Sequence, residues 1–210
     1  MAKKILLWAV ILMGLTGVLF GLTKILSNNP TPASPPTPTQ AVKGGATGSA
    51  TLVEYSDFQC PACSAYYPVV KQLTKEFPQD LHFVYRYFPL SSIHKNARTS
   101  SQAAEAAGKQ NKFWEMHDLL FENQDEWANL ADPKEKFKEY AKSIGLDTEK
   151  FQKDLESKEV KDKVEKDYQN GLSLGVNATP TFFLNGEKLQ NPRSYEEFKA
   201  KIKGVRRLAD

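Results

Sequence analysis

The sequence predicts an α/β domain made of a strand–helix–strand half and a strand–strand–helix half, with a long helical insertion between them. Three observations carry that prediction. The run Ala50–Phe58 (ATLVEYSDF) has strand character and opens onto Cys60-Pro61-Ala62-Cys63 and an amphipathic stretch. From about residue 93 to 175 the apolar residues recur at helical spacing. Near the C-terminus, Thr179-Pro180 precedes a further apolar run and an Asn-Gly turn.

Each element has its own justification. Ala50–Phe58 is rich in β-branched and aromatic residues. Ala65–Phe77 sets Val69, Val70, Leu73 and Phe77 on one helical face. Pro61 suits the first turn of that helix, where its missing N–H costs nothing, and Pro68 predicts a kink. Leu81–Phe88 (LHFVYRYF) is the next strand. Within the insertion, Ala97–Gln110 is alanine-rich and favours helix, and Phe113, Met116, His117, Leu120 and Phe121 form an apolar stripe. Asp132-Pro133-Lys134-Glu135 reads as an N-cap, an N1 proline and a capping-box acid before Phe137, Tyr140, Ala141 and Ile144. Asp147 caps a short helix, and Val160, Val164 and Tyr168 continue to a stop near Gly175. Thr181–Leu184, the turn Asn185-Gly186 and Glu187–Leu189 make a hairpin. Tyr195, Phe198 and Ile202 give the closing helix, Ser194–Val205, its apolar side.

The chain of 210 residues has room for one domain and an appendage. All 25 acidic residues lie after position 50, and four of the 28 basic ones (Lys3, Lys4, Lys24, Lys43) lie before it. The domain therefore carries 24 basic against 25 acidic residues, without the basic excess of a nucleic-acid binder. Lys3 and Lys4 precede the uncharged run Ile5–Thr23, whose 19 residues span about 28 Å as a helix, close to the hydrocarbon thickness of a bilayer. Residues 1–26 thus read as a cytoplasmic start and an uncleaved, single-pass transmembrane signal-anchor that leaves the rest extracytoplasmic. A cleaved secretory signal is the alternative. Residues 27–49, with five prolines, three glycines and one charge, read as a disordered linker, and 50–210 as the domain.

Cys60 and Cys63 are the only cysteines. A disulfide closing so small a loop stabilises little, because the entropic gain grows with loop length. Zinc requires four ligands, and there is neither a second cysteine pair nor ligand spacing among His82, His94 and His117. Redox chemistry is the foremost expectation, with a structural disulfide and a metal site as alternatives. Cys60 falls at a helix N-terminus, where the dipole and free N–H groups favour a thiolate, and Cys63 lies one turn on and less exposed. A substrate thiolate attacking Cys60 of the oxidised pair forms a mixed disulfide, which a second substrate thiol resolves. His117 reads as a packed helix residue and Lys150–Lys166 as a solvated face. The sequon Asn177-Ala178-Thr179 reads as unused. No internal repeat and no phosphate-cradling glycine loop occurs.

Phe58-Gln59-Cys60-Pro61-Ala62-Cys63 after a strand, with Gly175-Val176-Asn177-Ala178-Thr179-Pro180-Thr181-Phe182-Phe183-Leu184-Asn185-Gly186 downstream, resembles the DsbA-like thiol:disulfide oxidoreductases of the thioredoxin superfamily, in their membrane-anchored bacterial form. The resemblance runs from Ala50 to about Val205. It implies a thioredoxin-like fold, with Cys60 the exposed nucleophile and Cys63 the buried resolving thiol. It also implies a cis Thr179–Pro180 bond facing them, with the Thr179 backbone pairing to an extended substrate strand. Glu54 matches the family's acidic residue that assists proton transfer at the buried cysteine; an ordinary strand-edge charge is its other reading. Ala62 departs from strong oxidants of the family, which carry a histidine there that stabilises the thiolate.

The function expected is disulfide introduction into exported, cysteine-containing polypeptides, without a cofactor or metal. By resemblance, a membrane-bound, quinone-linked partner reoxidises the protein, which is expected to be a monomer. A reductase or isomerase of the same fold is the alternative, and a non-catalytic peptide-binding module or holdase comes third.

Overall fold

The computed structural model describes residues 41–44 and 50–206. The proposed anchor at 1–26 and most of the linker lie outside them. Five strands form one sheet: β1 (Ala41–Gly44), β2 (Ala50–Ser56), β3 (Leu81–Tyr87), β4 (Thr181–Leu184) and β5 (Glu187–Lys188), in the order β1-β3-β2-β4-β5. β2 and β3 run parallel, and every other pairing is antiparallel. β2 and β3 are connected by α1 (Pro61–Glu76), which runs through Pro68 as one element. The insertion consists of α2 (Ala97–Gly108), α3 (Phe113–Glu122), α4 (Gln124–Trp127), α5 (Lys134–Ser143), α6 (Thr148–Glu156) and α7 (Lys158–Ser173). α8 (Tyr195–Arg206) closes the fold. This is the thioredoxin-like α/β architecture with a helical insertion.

Both sheet faces are covered, which explains why β2 and β3 place apolar residues at adjacent positions, as in Leu52-Val53 and Phe83-Val84-Tyr85, rather than in strict alternation. Alternation along β2 sends Leu52, Glu54 and Ser56 to one face and Val53 and Tyr55 to the other. The first face packs with Phe83, Tyr85 and Phe182 against Val70 and Leu73 of α1, Phe198 and Ile202 of α8, and the α3 stripe. The second carries Val84, Phe88 and Phe183 and is covered from α7, where Tyr168 packs on Phe88 at 4.8 Å between ring centres. There Asp167 is buried, and it accepts from Arg86 at 2.9 Å and Lys163 at 2.6 Å. Two cations on one carboxylate compensate its desolvation, and the pair to Arg86 joins α7 to β3.

Two expectations are corrected. The linker does not continue to residue 49 without structure, because Ala41–Gly44 adds an antiparallel edge strand to β3. Its four residues show no apolar alternation; backbone pairing holds them, and the Trp114 indole donates to the Val42 carbonyl at 3.0 Å. Gly44 has φ +99°, and a Cβ there would lie 2.0 Å from the Leu81 carbonyl oxygen. The helix expected to have Pro133 at N1 begins one residue later: Pro133 is the N-cap, and Asp132 accepts from the Lys134 N–H at 3.1 Å without a capping box. Asp147 caps α6 as expected, accepting from Glu149 and Lys150 N–H. Asn185 and Gly186, at φ 49° and 86°, make the expected turn between β4 and β5.

Gly171 sits where α7 crosses the sheet. A Cβ there would lie 2.6 Å from Phe88 Cδ2 and 3.0 Å from Tyr55 Cδ1, both in buried rings. Overpacking costs about 1–3 kcal/mol, against roughly 1 kcal/mol gained in helix propensity. Gly171→Ala is expected to lower stability in a denaturant titration; a variant more stable than the parent would contradict this close approach.

Candidate active site

At the end of β2 the chain turns sharply into α1, and Asp57 organises the turn. Its fully buried carboxylate accepts from the Gln59 N–H at 2.8 Å and the Leu90 N–H at 2.9 Å, and His94 Nδ1 lies 2.7 Å from its second oxygen. The Cys60 N–H returns to the Asp57 carbonyl at 3.0 Å. Cys60 is the N-cap of α1, with extended backbone angles (φ −74°, ψ 122°), and Pro61 opens the helix. Its side chain therefore sits over the free N–H groups of the first turn.

Side-chain amides tie this turn to the insertion. Gln124 Nε2 donates to the Phe58 and Cys60 carbonyls at 2.6 and 3.3 Å. Gln59 accepts from the Asn96 N–H at 2.7 Å and donates to the Ala128 carbonyl at 2.8 Å. Asn96 Nδ2 reaches the carbonyls of Trp127, Ala128 and Leu130. None of these residues is singled out by sequence reasoning, since each partner lies roughly 30 to 70 positions away.

The two cysteines are free thiols in different surroundings. Cys60 is 7% exposed, and its thiol donates to the Thr179 carbonyl at 3.5 Å; Thr179–Pro180 is cis. Cys60 thus lies deeper than the exposed position the resemblance implies, yet the Cys63 thiol, the Thr179 side chain and the N–H groups of Cys63 and Ala62 hold it well below the ordinary thiol range, outweighing its burial. Cys63 is fully buried and accepts the Asp57 N–H at 3.5 Å. Burial, then its bond to Cys60 and the charge of Glu54, push it well up. Glu54 lies on the same sheet face, 4% exposed, on the central strand between Tyr85 and Phe182. That position excludes the strand-edge reading, and burial pushes its carboxyl up to about 7. Cys60, Cys63, Thr179 and Pro180 thus converge at one place, with Glu54 beneath them. His117 is elsewhere in character: a buried ring packed among Phe58, Tyr85, Trp114 and Phe121.

A strand, a dithiol at a helix start and a cis-proline loop against it, all on this sheet, define a thioredoxin-fold protein with a DsbA-type helical insertion. The family model described as Thioredoxin (Thioredoxin_4) matches residues 36–204, and the chain belongs to that family. Similar solved structures include oxidised BdbD from Bacillus subtilis, with a TM-score of 0.73 and 26% identity over 85% of this chain and 98% of that one. A thioredoxin-like oxidoreductase from Silicibacter pomeroyi gives 0.68 and 25%, over 81% and 94% of the two chains. Wolbachia pipientis alpha-DsbA1, at 0.72 and 21% over 81% and 92%, shares the fold. Among curated proteins, the Na(+)/H(+) antiporter NhaA 3 of Salinispora tropica is 35% identical over 163 residues, 77% of this chain and 24% of the antiporter. The chain spans about a quarter of the length of the curated relatives it matches.

The raised Glu54 carboxyl favours the folded state while protonated, so its contribution is present below its unfolded value near 4.5 and is lost as pH rises through about 7. Glu54→Gln is therefore expected to be more stable than the parent at neutral pH, by on the order of 3 kcal/mol, and equal to it in acid; parallel denaturant titrations across pH measure this. For Cys60 the sign is opposite: its depressed value favours the folded dithiol above the ordinary thiol range, and that gain is lost as pH falls through the depressed value. Iodoacetamide is expected to label Cys60 far into acid while Cys63 stays unlabelled until unfolding; equal labelling of both would contradict the asymmetry.

Proposed function

We propose that this protein introduces disulfide bonds into exported, cysteine-containing polypeptides by dithiol–disulfide exchange through Cys60-Pro61-Ala62-Cys63. The observation that carries the reading is Cys60 at the N-cap of α1, its sulfur 3.5 Å from the Thr179 carbonyl and its thiolate favoured by the groups around it. A stabilised thiolate makes Cys60 a good leaving group and favours the reduced protein, so the disulfide tends to be given away. A substrate thiolate attacks Cys60 Sγ, the Cys60–Cys63 bond breaks, and Cys63 leaves with the electron pair. A second substrate thiolate then attacks the substrate sulfur of the mixed disulfide, and Cys60 leaves as thiolate. Glu54 supplies or takes the proton of Cys63. The Thr179 backbone, beside Pro180, aligns an extended substrate segment across Cys60.

The exchange uses only sulfur and protons and needs no cofactor. Regenerating the disulfide requires an oxidant, and a membrane-bound, quinone-linked partner fits the role. In this reading residues 1–26 hold the protein in the cell membrane as a single-pass anchor, or are cleaved as a secretory signal, and a monomeric domain works outside the cytoplasm. A reductase or isomerase is the second reading, favoured by Ala62 standing where strong oxidants carry histidine.

The test is the reduction potential of the protein equilibrated with glutathione, together with thiol oxidation by a Cys60→Ala variant. An oxidant is expected to lie nearer about −120 mV, the value for DsbA, than about −270 mV, that for thioredoxin. Cys60→Ala is expected to abolish exchange. A potential at the thioredoxin end would move the reductase or isomerase reading to first place. Full thiol oxidation by Cys60→Ala would end the exchange mechanism of both readings, whereas substrate binding and cellular function unchanged with both cysteines replaced would support a peptide-binding role.

A further inference from the structure

We propose that Ser56 is the proton bridge between Glu54 and Cys63. Ser56 is fully buried on β2, two residues beyond Glu54 and on the same sheet face. Glu54 pairs in register with Tyr85 of β3, so the Tyr85 side chain joins them there. The Ser56 hydroxyl has no hydrogen-bond partner, and Cys63 Sγ lies 3.5 Å from the N–H of the next residue, Asp57; from there the hydroxyl biases the protonation of the Glu54 carboxyl, the Cys63 thiol and the Tyr85 hydroxyl. Among the described residues five buried side-chain atoms have no partner, and two of them, on Ser56 and Tyr85, share the sheet face that carries Glu54. Folded proteins rarely leave such hydroxyls orphaned. Here they stand beside the two groups whose proton count has to change.

The chemistry of each neighbour singles out Ser56. A serine hydroxyl rotates freely and donates and accepts at once, which a bridge requires. Tyr85 is held fully protonated by burial, so it can donate a hydrogen bond to an anion but does not release its proton. Asp57 also faces this region, but its carboxylate is committed to Gln59, Leu90 and His94. Cys60 is the sulfur under attack and is favoured as thiolate. Glu54 is left as the proton reservoir, with Ser56 between it and the sulfur.

When the Cys60–Cys63 bond breaks, Cys63 leaves as a thiolate. The Ser56 proton passes to Cys63 Sγ and the Glu54 proton passes to Ser56 Oγ. Glu54 ends as a carboxylate, Ser56 is restored, and no electrons move beyond the sulfur exchange itself. Run backwards, the same bridge takes the Cys63 proton to Glu54 and frees the thiolate. Ser56 thus hands its own proton to the reacting sulfur and is reprotonated by Glu54, and the inference rests on the exchange reading above.

The test is single-turnover reduction of the oxidised protein by a small thiol across the acid-to-alkaline range. Ser56→Ala is expected to slow the step roughly tenfold where Glu54 is protonated, a part of what positioned proton transfer contributes. The ratio of parent to variant is expected to fall towards one as pH rises through about 7, where Glu54 has no proton to pass on. Ser56→Thr, which keeps the hydroxyl, should restore the parent profile, and Ser56→Ala added to Glu54→Gln should cost nothing further. A Ser56→Ala profile identical to the parent overturns the bridge and leaves exchange standing, whereas a parent protein that exchanges with no thiol overturns the underlying reading instead. Should Ser56→Ala fail to fold, a proton inventory on the unaltered protein decides. Two protons in flight curve the dependence of rate on deuterium fraction; a linear dependence overturns the proposal.

Discussion

Three donors converge on the buried Asp57 carboxylate where β2 gives way to α1, and the geometry of the dithiol depends on that convergence. The strand must end and the helix begin within a few residues, which leaves the intervening backbone groups without regular partners. Asp57 satisfies the Gln59 and Leu90 N–H groups from one side, while its own N–H is directed at Cys63. One residue thus shapes the turn, fixes the start of the helix and places a donor on the buried sulfur.

The helical insertion is part of the site rather than an appendage to it. Gln124, Gln59 and Asn96 tie the carbonyls and amides of the active-site turn to α2, α4 and the loop after it. On the opposite face of the sheet, Asp167 between Arg86 and Lys163 fastens α7 to β3, and the close approach at Gly171 brings the helix onto Tyr55 and Phe88. The insertion is therefore held at both faces of the sheet, and the turn bearing Cys60 gains a rigid backing.

Chemical asymmetry between two identical side chains follows from their settings. Cys60 meets helix N–H groups, a thiol and a hydroxyl, all of which favour negative charge. Cys63, three residues on, meets burial and the Glu54 carboxyl, which oppose it. A leaving group and a resolving thiol are thereby separated by one helical turn, with the titratable Glu54 within electrostatic range of the buried one.

Much of this was legible in the sequence because it depends on local chemistry. Cys60, Pro61 and Cys63 after a β-rich run specify a dithiol at a helix start; Asn185-Gly186 specifies its turn; the stripe Phe113, Met116, His117, Leu120, Phe121 specifies a buried helix face. Ala41–Gly44 was not legible, because an edge strand held by backbone pairing and one indole bond leaves no apolar period to read. Nor were Asp57, Gln59, Asn96 and Gln124: a polar side chain has a role only through its partner, and apart from the local bond of Asp57 to the Gln59 N–H these partners are distant in sequence. Glu54 could be read as an acid on a strand, but whether it was an edge charge or a buried carboxyl depended on β2 lying at the centre of the sheet. Residue type and short-range spacing determine which groups could react. Tertiary packing decided which of them are desolvated and which lie within hydrogen-bonding reach, because burial and long-range proximity exist only once the sheet and the insertion have closed around them.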